Sequence, residues 1–387
     1  MILRIGIFTD TYLPQVNGVV TSILMLEKEL RNLGHEVYIF TTSNPKANDM
    51  SENIFRLPSM PFVFLPIYRV AFFCPPKLLH KIKTFNLDIV HTQTEFSVGL
   101  FGKMVSKFLK IPMVHTYHTM YEHYVHYIAR GYLVKPKMAR RVSKLFCNMA
   151  NYVIAPTKKT KDCLINYGVK KPIEIVPTGI ELEKFKESVP QEKIDFLKKN
   201  IGLGLNDFII LYLGRLSKEK SIDVLINQMP DIIKKIANTK LLIVGDGPYL
   251  EKLKNLAHEM HVEKSICFTG EIPWQKINLY YKLADVFVTP STSETQGLTC
   301  IEAMASGVPV ICKDDPSFSN LIKHNRNGFL FNDPSELQDI IYSLKQDKKL
   351  KNRIMNDAYI TVEKLSCASF AKSVLDVYLS AIDQNKF

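Results

Sequence analysis

The chain has 387 residues, of which 46% are hydrophobic and 23% are charged. This length predicts two domains, because one hydrophobic core rarely serves so many residues. The composition is typical of a soluble globular protein, and no run of 18 apolar residues could span a bilayer. Seven scattered cysteines without a Cys-x-x-Cys pair indicate reduced thiols, and hence a cytoplasmic protein.

The formal net charge of +12 is distributed unevenly along the chain. Residues 1–180 carry 23 Lys and Arg against 11 Asp and Glu, whereas residues 181–387 carry 27 of each. All the excess positive charge therefore lies in the first half. This asymmetry predicts that one domain contacts an anionic surface and that the other does not.

Short β-branched runs alternate with longer segments of helical periodicity, the pattern of βαβ units and parallel sheets. A lysine-rich polar stretch at 181–206 separates two sets of predicted strands. The strands are predicted at 2–8, 36–42, 88–93, 112–117, 152–156 and 173–177, and then at 208–213, 240–245, 266–269, 285–290, 309–312 and 328–331.

We therefore expect an α/β protein with two Rossmann-like, doubly wound parallel-sheet domains that face each other across a deep cleft. The N-terminal domain would span 1–180 and the C-terminal domain 181–365. Residues 366–387 have apolar residues at helical spacing and predict a closing helix that could pack back on the N-terminal domain.

The loop after the first strand ends in Asn17-Gly18, ahead of a predicted helix at 19–33. A glycine there lets backbone N–H groups approach a phosphate at the helix N-terminus. A glycine that merely turns the chain is an equally good interpretation. No Gly-x-Gly-x-x-Gly fingerprint occurs anywhere in the sequence, which disfavours a nicotinamide or flavin cofactor.

Several histidines follow the fourth strand: His115 and His118 at its end, and His123 and His126 further on, next to Glu122. Their spacing matches no metal-ligand motif, so no metal site is predicted. A histidine at a strand end is better suited to hydrogen bond a substrate, and His118 is the candidate. A purely structural histidine is the alternative.

In the second half, Gly214 ends a strand, and Arg215 and Lys220 follow it closely. A guanidinium fork and an ammonium point charge together suit one dianionic group such as a diphosphate. The neighbouring Lys218 is expected to be solvated. Glycine-bearing turns, with Gly245, Gly247 and Gly270, close the next two strands and could line a nucleotide pocket or be ordinary turns.

Two acids frame the segment Glu294-Thr-Gln-Gly-Leu-Thr-Cys-Ile-Glu302, which predicts a loop leaving a strand and then a short helix near 298–306. Both carboxylates can then face the crevice at a strand's carboxyl end, where open parallel sheets bind ligands. Glu302 has mostly apolar neighbours in sequence, so its carboxylate needs partners, and ribose hydroxyls would supply them. An exposed helical glutamate is the alternative.

Together these residues resemble the retaining family 4 glycosyltransferases of the GT-B fold, over nearly the whole chain. The resemblance implies a UDP-sugar donor, no tightly bound cofactor, and a divalent cation such as Mg²⁺ that could assist but is not required. It implies that Glu294 and the 296–298 backbone hold the donor sugar, that Glu302 binds the ribose and that Arg215 and Lys220 bind the diphosphate. Gly18 would approach the diphosphate, and His118 would lie near the reacting sugar.

The predicted site residues fall into two sets by these roles. The catalytic residues are His118, Arg215, Lys220 and Glu294, and the donor-binding residues are Gly18, Gly214, Gly245, Gly247, Gly270, Thr295, Gln296, Gly297, Leu298 and Glu302. Many family members carry Gly-Gly where this chain has Asn17-Gly18, so the chain departs from the family pattern at the predicted first phosphate contact. No residue stands out as a covalent nucleophile. The resemblance implies retention by front-face return, in which the leaving phosphate deprotonates the acceptor hydroxyl.

Two stretches of the basic half, 61–85 and 132–146, combine aromatic and basic residues. Such segments bind the interface of anionic membranes, and each cation contributes about 1 kcal/mol there. A solvated helix face is the alternative. The predicted membrane or acceptor residues are Arg69, Lys77, Lys81, Lys83, Lys135, Lys137, Arg140, Arg141 and Lys144.

The segments 92–97 and 115–127 resemble the membrane-associated diacylglycerol glucosyltransferases. We therefore expect transfer of glucose from UDP-glucose to 1,2-diacylglycerol by an enzyme peripheral to the inner face of the cell membrane. One alternative is another acceptor, such as a glycolipid, phosphatidylinositol or a polysaccharide precursor. A nucleic-acid-binding protein is disfavoured, because the basic half has no helix-turn-helix, zinc-finger or RNP signature. The sequence specifies no oligomeric state.

Overall fold

In the computed structural model, which describes residues 1–15, 17–47, 52–63, 65–72, 76–121 and 135–385, the chain folds into two compact units. The first unit comprises Met1–Gly179 together with Cys367–Phe387, and the second comprises Ile180–Ser366. Each unit is built around its own parallel sheet. The expected α/β class with two doubly wound sheets is confirmed.

The described residues of the first unit form a seven-stranded parallel sheet and a separate two-stranded hairpin. Its strands are β1 (Arg4–Phe8), β2 (Glu36–Thr42), β3 (Ile54–Leu57), β4 (Ser59–Phe62), β5 (Leu65–Ala71), β6 (Ile89–Thr92), β7 (Met113–Thr116), β8 (Tyr152–Ala155) and β9 (Ile173–Ile175). The sheet order is β3-β2-β1-β6-β7-β8-β9, and β4 pairs with β5. The central strands are buried along their whole length, as expected for parallel strands covered on both faces.

Helices of the first unit cover both faces of this sheet. Along the first part of the chain they are α1 (Gly18–Asn32), α2 (Pro76–Thr84), α3 (Ser97–Leu109), α4 (Pro136–Met149) and α5 (Lys158–Tyr167). Residues of α2, α3, α4 and α5 share one hydrophobic core cluster, whereas α1 belongs to a different cluster.

The described residues of the second unit form a six-stranded parallel sheet with helices between the strands. Its strands are β10 (Phe208–Leu213), β11 (Thr239–Val244), β12 (Ile266–Phe268), β13 (Val286–Thr289), β14 (Val310–Lys313) and β15 (Phe329–Phe331). Its helices are α6 (Leu182–Lys186), α7 (Gln191–Asn200), α8 (Asp223–Lys235), α9 (Leu250–Glu259), α10 (Ile277–Leu283), α11 (Leu298–Ala305), α12 (Glu336–Gln346) and α13 (Lys348–Glu363). The sheet order is β12-β11-β10-β13-β14-β15.

The last helix, α14 (Cys367–Gln384), belongs to the first unit, where it packs beside α1. Its buried residues Phe370, Val374 and Tyr378 lie in the same core cluster as those of α1. Helices therefore cover the sheet from both sides, with α1 and α14 on one face and α2 to α5 on the other.

Each sheet reverses its strand order once. In the first unit the reversal falls between β1 and β6, and in the second between β10 and β13. The loops that leave the carboxyl ends of two such strands run in opposite directions and open a crevice. Ligands of open α/β sheets bind in such crevices, so these two switch points position the candidate residues.

All twelve predicted strands are present, and three further strands between residues 54 and 71 were not predicted. Pro58, Pro61 and Pro66 interrupt that segment, and proline masks strand periodicity because it is tolerated only at edges and strand starts. The basic stretch 61–85 is consequently divided, with part in the β4–β5 hairpin and part in α2.

Candidate functional site

Three glycine-bearing turns close neighbouring strands of the second unit and interlock. Gly214 follows β10, Gly245 follows β11 and Gly270 follows β12. The Gly214 N–H donates to the Val244 carbonyl at 3.0 Å, and the Gly245 N–H donates to the Gly270 carbonyl at 2.9 Å. Gly245 has φ of 134°, and a Cβ there would collide with the Gly214 carbonyl oxygen. We call these three interlocked turns the glycine floor; at Gly245 the Gly214 carbonyl leaves no room for a side chain.

The loop after β10 is held against the next turn by backbone hydrogen bonds. The Leu216 N–H donates to the Asp246 carbonyl at 2.9 Å, and the Tyr249 N–H donates to the Leu216 carbonyl at 3.0 Å. A Cβ at Gly247 would collide with the Leu216 carbonyl oxygen. Half-buried Arg215 lies in this loop, so the structure places Arg215 beside the predicted glycines.

An ion pair joins the two loops that flank the switch point of the second unit. Lys220, in a 3-10 turn after β10, places its Nζ 2.6 Å from Oε1 of Glu294, in the loop after β13. The two side chains keep 14% and 19% of their surface exposed. The sequence predicted both residues for the site but not their pairing. Lys218 is exposed, as predicted.

Gly297 immediately precedes helix α11, in a conformation that favours glycine. Its φ is 73°, and a Cβ would lie 2.5 Å from Cε1 of the Phe318 ring. Thr295, Gln296 and Leu298 are its neighbours, of which Gln296 is buried. The predicted donor segment therefore turns tightly between Glu294 and the helix, with no room for a side chain at its centre.

Glu302 is buried on α11 and accepts a hydrogen bond at Oε2 from the Tyr281 hydroxyl at 2.7 Å. Burial raises the pKa of Glu302 to about 7, against the opposing effects of the Tyr281 hydrogen bond and of Lys184. Burial likewise lowers the pKa of Lys184 to about 8. The alternative of an exposed helical glutamate is therefore wrong, and burial favours the protonated form of this carboxyl group.

In the first unit, His118 begins a hydrogen-bonded chain at the carboxyl ends of β6 and β7. Its Nε2 lies 2.6 Å from Oε1 of Gln93, and the Gln93 amide lies 3.2 Å from the ring nitrogens of His91. His91 in turn contacts the hydroxyls of Thr116 at 2.7 Å and Tyr378 at 2.6 Å. His118 is thus fixed through its Nε2 atom, which donates to Oε1 of Gln93, since an amide oxygen can only accept.

The ring of His118 is neutral. Burial, and secondarily the nearby His115, lower the pKa of His118 to about 3. With its proton on Nε2, the ring keeps Nδ1 as an acceptor. Such a group can orient a hydroxyl but supplies no positive charge.

His115 is a structural histidine. It is fully buried, with Nε2 at 3.3 Å from Oε1 of Glu95 and Nδ1 at 3.0 Å from the Thr92 hydroxyl. Glu122, His123 and His126 lie outside the described residues. Within the described ranges, no three or more His, Cys, Asp or Glu side chains cluster in a way that could hold a metal ion.

Asn17, which stands where many family members carry glycine, caps helix α1. Its side-chain oxygen accepts from the N–H groups of Val19 and Val20, both at 3.0 Å. Gly18 is the exposed first residue of the helix. A phosphate at this terminus would therefore share N–H donors with the Asn17 side chain.

Most of the predicted membrane cations lie on helix surfaces. The exceptions are Lys135, which precedes α4, and Arg69 on β5. The Arg69 guanidinium donates to the hydroxyl of Ser59 at 3.0 Å and to its carbonyl at 2.6 Å. Lys81 lies 4.9 Å from the Phe55 ring centre and Arg140 5.8 Å from that of Tyr167. The exposed cations are Lys77, Lys81, Lys83, Lys135, Lys137, Arg140 and Arg141, while Lys144 is half-buried.

Sequence reasoning did not identify the residues that bond to, or act by charge on, Glu302, His118 and His115. Tyr281 and Lys184 lie on other helices, and no local pattern connects them to Glu302. Gln93 and Glu95 have a detectable signal, because they are polar residues directly after a buried strand. Strand-end polar residues at a switch point are where such partners are found.

The two units correspond to two known family models. Residues 16–184 match the model described as Glycosyltransferase Family 4, and residues 193–361 match the model described as Glycosyl transferases group 1. The HepE protein of Anabaena, crystallised with UDP-glucose, superposes with a TM-score of 0.79 at 19% identity, covering 98% of this chain and 100% of that one. Sucrose-phosphate synthase of Thermosynechococcus elongatus gives 0.75 at 20% identity, covering 98% of each chain.

The chain belongs to the family 4 glycosyltransferases of the GT-B fold. Among its relatives, the alpha-monoglucosyldiacylglycerol synthase of Streptococcus pneumoniae is 41% identical over 389 residues, covering 100% of this chain and 87% of that protein. The enzyme of that name from Acholeplasma laidlawii is 34% identical over 394 residues, covering 99% and 98%. In the described part of the chain, no helix is both long and apolar enough to cross a membrane.

Proposed function

We propose that the protein transfers glucose from UDP-glucose to the hydroxyl of 1,2-diacylglycerol, with retention of the anomeric configuration. The observation that carries the proposal is the Lys220–Glu294 pair, which spans a switch point beside a backbone floor of glycines. The names of the 41% and 34% identical relatives support the lipid acceptor. UDP-glucose in the HepE crystal supports the donor.

The donor would lie along the carboxyl ends of β10 to β13. The glycine floor lets the nucleotide approach the backbone closely, and the partly exposed Glu294 accepts hydrogen bonds from sugar hydroxyls. Glu302, oriented by Tyr281, accepts from the ribose hydroxyls. Arg215 and Lys220 bind the diphosphate, and the segment 295–298 contacts the sugar through its backbone.

The reaction breaks the bond between the sugar's anomeric carbon and an oxygen of the β-phosphate. Negative charge grows on the departing UDP, and preorganised cations that face such charge supply a large part of the rate enhancement. Arg215 and Lys220 have this role. The acceptor hydroxyl attacks from the face that UDP leaves, and its proton passes to the departing phosphate oxygen. No divalent cation is required, although one could assist.

His118 would act on the sugar side of the reaction as a neutral hydrogen-bonding group. Its ring is fixed by Gln93, so its Nδ1 can accept a hydrogen bond from a hydroxyl of the reacting sugar. Gly18 at the start of α1 would contact the diphosphate. The exposed cations of α2 and α4 would hold the enzyme to anionic lipids at the inner face of the cell membrane.

Product analysis tests this function directly. Radiolabelled UDP-glucose is incubated with vesicles that contain diacylglycerol, and lipid products are separated by thin-layer chromatography. We expect one labelled monoglucosyl lipid whose anomeric proton shows the α configuration by NMR. Label on phosphatidylinositol or on a glycolipid acceptor instead, with none on diacylglycerol, would overturn the acceptor. A β-linked product would overturn retention.

A further inference from the structure

Helix α3 carries a row of apolar residues on the face that points away from the core. Phe96, at its N-terminal boundary, is followed at intervals of four by Leu100, Met104 and Phe108, each about half exposed. Residues four apart lie on the same side of a helix. The opposite side of α3, with Val98, Phe101 and Val105, is buried in the core. The helix is therefore apolar on both sides.

Helix α4 repeats this arrangement. Met138, Val142, Leu145 and Met149 lie on its outer side and are between 39% and 60% exposed. The inner side, with Phe146 and Cys147, packs into the core. Over eleven residue steps the outer row is about 16 Å long at the helical rise of 1.5 Å per residue.

The two rows belong to one surface. Both helices bury their inner sides in the same core cluster, so they cover the same face of the sheet. Lys103 on α3 donates from Nζ to the Met149 carbonyl at the end of α4 at 2.6 Å, which ties the helices together. We call this surface the α3–α4 face, defined by the two apolar rows.

The charged residues of these two helices all have one sign. Helix α3 contains Lys103 and Lys107, and helix α4 contains Lys137, Arg140, Arg141 and Lys144, with no Asp or Glu in either sequence. Single exposed apolar residues are common, but two aligned rows of them mark an interaction surface. Long cationic side chains beside an apolar face fit the boundary between the headgroups and acyl chains of an anionic bilayer.

We infer that the α3–α4 face is the surface through which the protein inserts into an anionic membrane. The inference rests on the proposed function, because that function requires a lipid acceptor. It extends the predicted membrane surface to α3, for which the sequence predicted no membrane residue. It also attributes part of the membrane affinity to insertion of apolar side chains, beside the attraction between opposite charges. The occupant is a lipid bilayer rather than a second protein, since the surplus of cations complements anionic headgroups.

Sedimentation with vesicles tests the inference without donor or diacylglycerol. The probes are vesicles of phosphatidylcholine with 30% phosphatidylglycerol, and vesicles of phosphatidylcholine alone. We expect binding to the anionic vesicles, and a loss of at least tenfold in partitioning for the double variant Leu100→Ser with Leu145→Ser. The matched control is Phe196→Ser, which removes an exposed apolar residue from α7 in the second unit and should bind as wild type does.

Three results would overturn the inference. One is wild-type-like binding by the Leu100→Ser, Leu145→Ser variant, which would mean that electrostatic attraction alone binds the protein to the vesicles. Another is an equal loss for Phe196→Ser, which would make the effect non-specific. The third is no binding of the wild type to anionic vesicles. Melting temperatures of all variants, measured alongside, identify any loss that is due to unfolding.

A parallel assay separates this inference from the proposed function. Transfer to a short-chain diacylglycerol dissolved as monomers needs no lipid surface, so the Leu100→Ser, Leu145→Ser variant should keep the wild-type rate with that acceptor. Vesicle binding with the expected variant pattern, but no transfer to diacylglycerol, overturns the function and supports the face. Transfer to the monomeric acceptor with unchanged vesicle binding by the variant supports the function and overturns the face.

Discussion

The two switch points of this protein have the same topology and contrasting chemistry. In the first unit, Asp10 follows β1 and accepts hydrogen bonds from Thr94, Ser97 and the N–H groups of Val98 and Gly99, at 2.5 to 3.4 Å. In the second, Glu294 follows β13 and pairs with Lys220 across the crevice. Asp10 is buried and surrounded by protein donors, whereas Glu294 keeps part of its surface in solvent.

We propose that this difference separates a structural acid, Asp10, from a ligand-binding acid, Glu294. Burial raises the pKa of Asp10, and hydrogen bonds from Ser97 and Thr94 oppose that rise. Those donors hold the loop after β1 against the start of α3. Glu294 instead pairs with Lys220 of another loop and keeps 19% of its side-chain surface exposed, so a polyhydroxylated ligand can reach it. An acid at a switch point is thus a functional candidate only when its partners leave room for a ligand.

Removing the cation of the second switch point should give the largest effect. In Lys220→Met, the growing charge on UDP loses one preorganised partner, and kcat should fall about 100-fold to 1000-fold, as for loss of an oxyanion-hole donor. Steady-state kinetics with UDP-glucose measure this. The matched control is Lys218→Met, two residues away and exposed, which should stay within about twofold of wild type. Equal losses in both variants would contradict the assignment.

The acid of the first switch point should affect stability and leave chemistry intact. In Asp10→Asn, the amide nitrogen faces donors that need an acceptor, which should cost about 1–3 kcal/mol of unfolding free energy. Urea denaturation measures this loss. Transfer per folded molecule should remain close to wild type. A variant that is stable yet inactive would place Asp10 in the catalytic machinery and remove the contrast.

The main strands were predictable because buried parallel strands are nearly continuous apolar runs, as in β10 and β13. The pairing of Lys220 with Glu294 was not, since it depends on the sheet order that places β10 beside β13. Tyr281, which bonds Glu302 from α10, and Lys184, whose charge acts on Glu302 from α6, were missed for the same reason. Local pattern thus predicts which residues are candidates, and topology decides which of them meet.

Binding of UDP-glucose should depend on pH through Glu302. Ribose hydroxyls prefer the ionised carboxylate, and its pKa is about 7 in the free protein. Because apparent affinity scales with the competent fraction, Kd should decrease about tenfold between pH 6 and 8. Calorimetric titration across this range measures it. Glu302→Gln should show a flat profile, and a flat wild-type profile would contradict ribose binding by this carboxylate.

The same group has a smaller effect on folding stability, with a defined sign. Its pKa is raised from 4.5 to about 7 in the folded state, so the folded protein binds this proton more tightly than the unfolded chain does. The resulting contribution to the unfolding free energy is fully present below pH 4.5. That contribution is lost as pH rises through about 7. Between pH 5 and pH 8, the unfolding free energy of the wild type should therefore fall relative to that of Glu302→Gln. A shift of opposite sign would show that the carboxylate is stabilised as an ion.

The most direct test of the central claim is the kinetics of Glu294→Ala. If Glu294 holds the donor sugar at the second switch point, kcat/KM for UDP-glucose should fall at least about 100-fold while the melting temperature stays within a few degrees. Asp10→Asn provides the opposite pattern for comparison, with lower stability and retained transfer. Near-normal transfer by Glu294→Ala would contradict the donor site proposed for this protein.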